Sequence, residues 1–531
     1  MDGPFLSYPF RSFAGVFDGI GIGLTVRQLG VNARSSAPGV RRARLSEVLP
    51  IAAWSDAEKA LELGRIQQAR AMLDAYEAAV VVEFAADRPA SLDLPAGAAG
   101  AGVNARSPIP GTSEFFVDEL AVVTNSSARS AGRLAEQSYV LVERLPAVWA
   151  AQADGELDSA RARVFVEVLG SAADGVPDAV VPVVLPEAAG LSLGRLRARL
   201  QKAVLAVDEA FAEQVRVAAE AQAEVRLYPT VAGMSELATQ LPSPVAAACW
   251  STIDELAWTR KNDGDERSIG QLRALTHADL ILRFWDDTRP PVTAMLTVTA
   301  PLPSLRPPTP APAVDGGAVP TQEPGEVNGR PITAAHVREL LAELNSLGPG
   351  GLQAPAGGTL TVAVTDADGA LLATATRGEL ERIARRGCPD HPGHPAAQEC
   401  ACPVLDRPPA VDRYRPSPGQ QRFATVRDRT CRQPGCGLPA AWADLDHVVA
   451  HADGGPTDCA NLCCLCRRHH RLKTHAPGWR FVLLPGGVLR VTTPSGITRT
   501  TRPPGLRHRI EQRALPAPPP PPLPPPEPPP F

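Results

Sequence analysis

Hydrophobic periodicity divides the chain into a long helical half and a shorter half of mixed elements. From Leu45 to about Phe84, apolar residues recur at helical spacing: Ala60, Leu61, Leu63, Ile66, Ala69, Leu73, then Ala78, Val80 and Val81. Residues 1–40 carry no sustained period and read as poorly ordered. Residues 90–112, rich in Ala, Gly and Ser, read as a loop. A second helical block spans Glu114 to about Leu282, with helices expected at Ser159–Gly170, Leu191–Val207, Asp208–Glu224 and Ala246–Arg260. Pro182, Pro186, Pro242 and Pro244 read as breaks between helices, because proline lacks the donor that a helix interior needs.

Beyond Leu282 the pattern shortens. Val292–Thr299 alternates like a strand, and residues 301–332 form a Pro/Gly-rich linker. Thr333 is placed to cap a short helix reaching Leu347. Thr359–Thr365 and Ala370–Thr376 predict a hairpin around Asp366–Gly369, followed by a helix at Arg377–Arg386. Trp479–Leu484 and Val488–Thr493 predict another hairpin across Pro485–Gly487. From Leu515 the chain is almost all proline and reads as a solvated polyproline helix, a spacer or the ligand of a proline-binding partner. The expected division is therefore 1–40 poorly ordered, 41–300 helical, 301–332 linker, 333–410 small α/β connecting region, 411–505 small α+β domain and 506–531 tail.

At 531 residues and 44% hydrophobic content the chain can build two or three cores. Its net charge of −4 points to no particular partner, yet basic residues outnumber acidic ones between Arg415 and Arg480. The excess of arginine over lysine, with much Ala, Gly and Pro, suggests a GC-rich bacterial genome. No secretory signal or membrane span is evident, so a cytoplasmic setting with reduced thiols is expected, one that favours metal ligation over disulfides. Nine of the ten cysteines lie between Cys388 and Cys466, which places the metal chemistry there.

Cys431, Cys436, Cys466 and His469 have the spacing of a four-ligand structural zinc site. Cys431 and Cys436 flank the turn-forming Arg432–Gly435. Cys466 and His469, three apart, share one helix face. Cys463 is an alternative ligand, and unliganded thiols are the plain alternative for the whole set. Cys388, His391, His394, Cys400 and Cys402 form a looser cluster, irregular in spacing, that offers the ligands for a further metal. Cys464 reads as a small buried residue, and Cys459 has no evident role.

The stretch carrying Asp446-His447, Gly454-Gly455, Asn461-Leu462 and Cys466-x-x-His469-His470-x-x-Lys473 resembles the HNH endonucleases, whose fold is the ββα-metal motif. The resemblance implies that Asp446 and His470 bind a catalytic divalent metal, Mg²⁺ or another, with His447 as general base. It also favours His469 over Cys463 as the fourth zinc ligand. His470 lies about 100° around the helix from His469, so adjacent histidines can serve different metals. Asn461 is expected to orient the His-bearing loop, Asp444 to brace the site from behind, and Gly454-Gly455 to permit a tight turn. Arg467, Arg468, Arg471 and Lys473 would meet DNA phosphates, or else form a solvated face. His451 and His475 are unassigned. The wider Cys431–Cys436 spacing and the Cys-x-x-His on the helix depart from the commoner pattern and bear on zinc geometry. Phrases at Arg144–Phe165 and Asp265–Leu282 are similar to an uncharacterised helical domain that often precedes HNH nucleases in high-GC bacteria.

The expected fold is thus mainly α in the N-terminal region, with a zinc-stabilised ββα-metal nuclease domain after it. The expected function is metal-dependent cleavage of DNA, taken as double-stranded, with a dimer left open because one such site cuts one strand. The alternative is a zinc-stabilised nucleic-acid-binding module without cleavage, which needs no general base at His447. A third reading gives the helical region the main role, as a partner-binding scaffold.

Overall fold

The computed structural model describes residues 51–95, 97–98, 107–230, 234–283, 285–286, 288, 298–301, 324–327, 330–344, 346–348, 351–354, 359–366, 369–386 and 406–505. The expected disordered N-terminus at 1–40, the proline tail and the cluster of Cys388, His391, His394, Cys400 and Cys402 lie outside these residues. Two compact units divide the chain, Met1–Ala69 and Arg70–Phe531. The described part of the first holds a 3-10 turn, Ile51–Ala53, and the start of helix α1 (Asp56–Ala86). Asp56 and Glu58 occupy the first turn of α1, where the helix dipole favours negative charge.

The second unit begins in α1, whose buried stripe of Ala71, Ala75, Ala78, Val81 and Ala85 keeps helical spacing. Then follow α2 (Phe116–Thr124), α3 (Ala128–Tyr139), α4 (Pro146–Ala153), α5 (Ser159–Leu169), α6 (Val176–Ala188), α7 (Leu193–Val207) and α8 (Glu209–Ala221). Their starts are written locally. The side chains of Ser127, Asp158, Ser192 and Asp208 each accept a backbone N–H from the first turn of α3, α5, α7 and α8. One core gathers Val148, Phe165, Leu169, Val184, Leu196 and Leu200; another gathers Val81, Phe116, Leu120, Ala131 and Ala135.

Pro182 and Pro186 do not separate helices: both lie inside α6. They sit four apart on its solvent face, where the carbonyls they leave unbonded can be hydrated, while Val180, Val181, Val184 and Ala188 hold the other face in the core. The helical block is also interrupted by an antiparallel hairpin, β1 (Val225–Pro229) with β2 (Ser235–Thr239). Val225 and Leu227 on it are exposed, so no inward-facing alternation marked it as strand. Helices α9 (Ser243–Asn262) and α10 (Ile269–Leu282) then pair, joined by ion pairs Arg260–Asp279 (2.7 Å) and Arg273–Asp254 (2.6 Å).

The segment expected as a linker is bracketed by strand pairing. β3 (Val298–Thr299) bonds to β4 (Gly325–Val327), which bonds to β5 (Arg330–Ile332). Strands of two and three residues are too short to show a period. Helix α11 (Ala334–Glu343), capped by Thr333 as its sequence predicts, presses Val337 onto β4: a Cβ at Gly325 would lie 2.4 Å from Val337 Cγ2. After the short pair β6 (Leu347–Gly348) and β7 (Gly351–Leu352) come the expected hairpin β8 (Thr361–Thr365)–β9 (Leu371–Thr376) and helix α12 (Arg377–Arg386).

The C-terminal region comprises α13 (Pro418–Asp428), the antiparallel pair β10 (Asp444–His447) and β11 (Leu462–Leu465), helix α14 (Arg467–His475), and a sheet of β12 (Arg480–Leu484), β13 (Val488–Thr492) and β14 (Thr498–Thr501). The polar run of β14 hid it as a strand. Cys431, Val448, Cys463, Leu465, Cys466, Leu489 and Val491 form the core beneath. A fully buried carboxylate, Asp428, binds these pieces together. It accepts from Arg427 Nε (2.8 Å), Arg432 Nη1 (2.9 Å) and the backbone N–H of Cys464 on β11 (2.9 Å). Arg427 also donates to the carbonyls of Cys459 and Leu462, and Arg432 to those of Gly487 and Thr501. No helix among the described residues is long and apolar enough to cross a membrane.

Candidate metal centre and adjoining acid–histidine face

Residues 431–436 make a tight turn in which Cys436 N–H reaches the Gln433 carbonyl (3.1 Å). Gly435 adopts φ +78° there, and a Cβ would lie 2.4 Å from the Ser126 carbonyl oxygen, so only glycine fits. Cys466 is the N-cap of α14 and donates its N–H to Cys431 Sγ (3.3 Å); His469 follows one turn later. One ligand atom from each of Cys431, Cys436, Cys466 and His469 lies within 4.8 Å of all the others. His469 Nδ1 stands 3.1 Å from Cys466 Sγ and 3.4 Å from Cys431 Sγ. A tetrahedral zinc with ordinary bond lengths sets S and N ligands about 3.6 Å apart, so the cluster fits structural zinc.

Cys463 is not part of this cluster. It lies opposite Asp446 in the β10–β11 register and packs into the core. Burial raises its thiol pKa, as it does that of Cys464, and pushes Cys459 up to about 11, so these three stay protonated and inert. At Cys466, hydrogen bonding from Cys431 and Cys436 instead favours the thiolate. Burial opposes a charged His469, but hydrogen bonds to Asp118, Cys436 and Cys466 raise its pKa to about 11.

The other side of α14 meets β10. His470 Nδ1 lies 2.9 Å from Asp444 Oδ2, and its Nε2 lies 3.4 Å from Asp446 Oδ1. Both aspartates therefore face α14, as strand alternation requires. Asp446 is buried, and burial raises its pKa against the pull of Lys473 and His470. Its Oδ2 lies 3.1 Å from Lys473 Nζ yet accepts no aligned hydrogen bond. Among the described residues, Asp446, His447 and His470 do not close into a second three-ligand cluster.

His447 points away from that pair. Its Nε2 lies 2.8 Å from Thr457 Oγ1, and Thr457 Oγ1 donates its proton to the Arg413 carbonyl (2.6 Å). A hydroxyl has one proton, and the carbonyl can only accept, so Thr457 must accept from His447 Nε2–H. The neutral imidazole is thereby held with Nδ1 unprotonated. Nδ1 has no hydrogen-bond partner among the described residues, and the residue as a whole is buried. Tyr414, itself exposed, stacks over the ring at 5.3 Å, and His451 meets both rings edge-on. Burial lowers the His447 pKa below 6.5.

Asn461 braces the connecting loop. Its Oδ1 accepts from Val449 N (2.8 Å), and its Nδ2 donates to the carbonyls of Val449 (2.9 Å) and Pro456 (3.0 Å). Gly455 sits so close that a Cβ would lie 2.0 Å from the Val449 oxygen. The four basic side chains read as phosphate contacts separate. Arg467 is largely exposed beside Asp444, while Lys473 donates to the His447 carbonyl (2.7 Å). Arg468 forks onto Asp118, and Arg471 onto Glu114 (2.7 Å), so both turn toward the helical region. Thr457, Tyr414, Asp118 and the Asp428 brace were not picked out from the sequence; the alternation of β10 alone marked the face opposite Asp446 as a place to search.

No solved structure matches the chain, and no HNH family model does. Three similar proteins of Mycobacterium tuberculosis are themselves uncharacterized. Rv3776 is 50% identical over 76 residues, 14% of each chain. Rv2100 is 50% identical over 80 residues, 15% of this chain and 14% of its own. Rv1128c is 29% identical over 185 residues, 32% of this chain and 38% of its own. The shared segments thus span less than two fifths of any of these relatives. The family model "Domain of unknown function (DUF222)" matches residues 64–343, from within α1 through α11 and past the Pro/Gly segment taken as the domain's end, and the chain belongs to that family.

Proposed function

We propose that the C-terminal region is a metal-dependent endonuclease of the HNH, or ββα-metal, type that hydrolyses phosphodiester bonds in DNA. The observation that carries this reading is the His447–Thr457–Arg413 chain, which leaves Nδ1 of His447, at the end of β10, unprotonated. Neutral at pH 7, His447 Nδ1 can take the proton of an attacking water. Asp446 and His470 are the residues that would hold a divalent ion; the buried Oδ2 of Asp446 accepts no aligned hydrogen bond and suits that role once the ion takes the place of Lys473. Such an ion would offset the charge developing on the phosphate oxygens. Tyr414 is exposed over the His447 ring, and its chain neighbours Arg413 and Arg415 are exposed as well, so a substrate strand would meet this segment first. A second reading, a zinc-stabilised DNA-binding module without cleavage, draws on Lys473, which already neutralises Asp446.

The test is a supercoiled-plasmid assay in EDTA, Mg²⁺, Mn²⁺ and Ni²⁺. Metal-dependent nicking is expected, with His447→Ala slower by roughly 10²–10⁴-fold at unchanged zinc content. Plasmid retardation without cutting in every metal favours the binding module. Protonation of His447 disables it, so the acid limb of the rate must lie below pH 6.5. A limb above that value excludes His447 as the base.

Thr457→Val should release the imidazole. The expected result is a mixed Nδ1–H/Nε2–H population by nitrogen NMR and a roughly five- to tenfold loss of rate, the worth of one hydrogen bond. A pure Nε2–H signal in the variant removes Thr457 from this role, whether or not the protein cuts DNA.

A further inference from the structure

The imidazole of His469 is held at both ends. Its Nδ1 faces the sulfurs of Cys431 and Cys466, and its Nε2 lies 3.2 Å from Asp118 Oδ1. Asp118 stands in the first turn of α2, 351 positions earlier, inside the segment matched by the DUF222 model. Its side chain is completely buried. A buried carboxylate is costly unless fully partnered. Arg468 supplies the remaining partners, with Nε at 3.0 and 3.1 Å and Nη2 at 2.9 Å. The contact extends on both sides of this centre. Glu114 takes both Nη atoms of Arg471 (3.0 and 2.7 Å), Glu119 accepts from Ser495 N (2.9 Å), and Arg499 donates to the carbonyls of Val122 and Val123.

We propose that Asp118 is the outer carboxylate of the Cys431/Cys436/Cys466/His469 metal site, so that the DUF222 domain completes that site and metal loading is coupled to docking of α2 against α14. The proposal is independent of whether the protein cuts DNA. A carboxylate accepting from the distal N–H of a ligating histidine fixes its tautomer and ring orientation and strengthens it as a ligand. Here the carboxylate comes from another domain. Displacing α2 would leave His469 free to turn, and removing the metal would leave Asp118 facing an unanchored ring. Arg468 and Arg471 belong to this contact, which withdraws them from the DNA-facing set.

The full-length protein tests this by zinc competition against a chromophoric chelator. Asp118→Asn should weaken zinc binding by roughly 10–100-fold. The d–d spectrum of the Co²⁺-loaded variant should shift, because the His469 donor has changed. Glu114→Gln breaks the neighbouring ion pair without touching His469 and should leave that spectrum unchanged. Zinc affinity of Asp118→Asn within twofold of the parent overturns the proposal, as does an equal spectral shift in both variants. Should Asp118→Asn fail to fold, the parent protein decides. Stripping its zinc should speed amide exchange across Phe116–Val122, and unchanged exchange there overturns the coupling.

Discussion

Asp428→Ala is expected to unfold the C-terminal region while the helices of the N-terminal half stay folded. The Asp428 side chain is fully buried, and those of Arg427 and Arg432 are 6% and 2% exposed. Removing the carboxylate leaves two guanidinium charges without a counter-ion in the interior. Breaking a buried pair in this way costs about 3–5 kcal/mol, far more than a surface pair contributes. The brace also joins separate pieces: α13, the Cys464 N–H of β11, the Gly487 turn and β14 all meet at these three residues. Urea melts of the full-length protein, read by amide exchange, separate the regions. Protection should vanish first across β10 to β14. A loss below about 1 kcal/mol would mean that water reaches the arginines and that the brace is dispensable.

Cys436→Ser is expected to lose the structural metal and with it the cooperative melting of the same region. Cys436 is the most exposed cysteine of the four-ligand cluster, so the change tests ligation more than core packing. Structural zinc contributes folding energy directly: apparent binding energies in zinc-finger peptides are about 10–16 kcal/mol near neutral pH. In the parent, free zinc at a hundred times its dissociation constant should add about 2.7 kcal/mol of stability. The variant should show no such gain at that zinc level and should contain little metal by elemental analysis. Cys459→Ser is the control, since Cys459 is buried but outside the cluster. Equal zinc content and equal melting in parent and Cys436→Ser refute the assignment. Because protons and metal compete for the same donors, zinc loading should fall on acidification.

Much of the architecture was legible where the deciding interaction is local. Ser192, Asp208 and Thr333 announce α7, α8 and α11 because a cap bonds its own first turn. The β8–β9 hairpin shows in the alternation of Thr361–Thr365 and in the glycine at Gly369, which takes φ +80°. The four residues of the Cys3His cluster were legible as two short cysteine-bearing patterns. The hairpin β1–β2 was not, since its apolar residues face solvent. The prolines of α6 misled because their tolerance depends on which face of the helix is wet.

The amino-acid sequence by itself determined most helical segments, the two halves of the Cys3His cluster and the acid–histidine run on β10 and α14. Each depends on residues within a few positions of one another, where spacing is geometry. Only the tertiary structure decided which charges meet. Arg468 and Arg471 lie one turn apart on a basic helix, and nothing in that helix says whether phosphate or carboxylate will face them; Asp118 and Glu114, some 350 residues earlier, do. Asp428 reads as a surface acid among arginines until Arg427, Arg432 and the N–H of Cys464 close around it. The proton on His447 depends on a hydroxyl ten residues away and a carbonyl beyond it. Charge and hydrogen-bonding capacity are properties of a residue, but their partners are set by the long-range packing that brings distant segments into a dry interior, where an unpaired charge is costly.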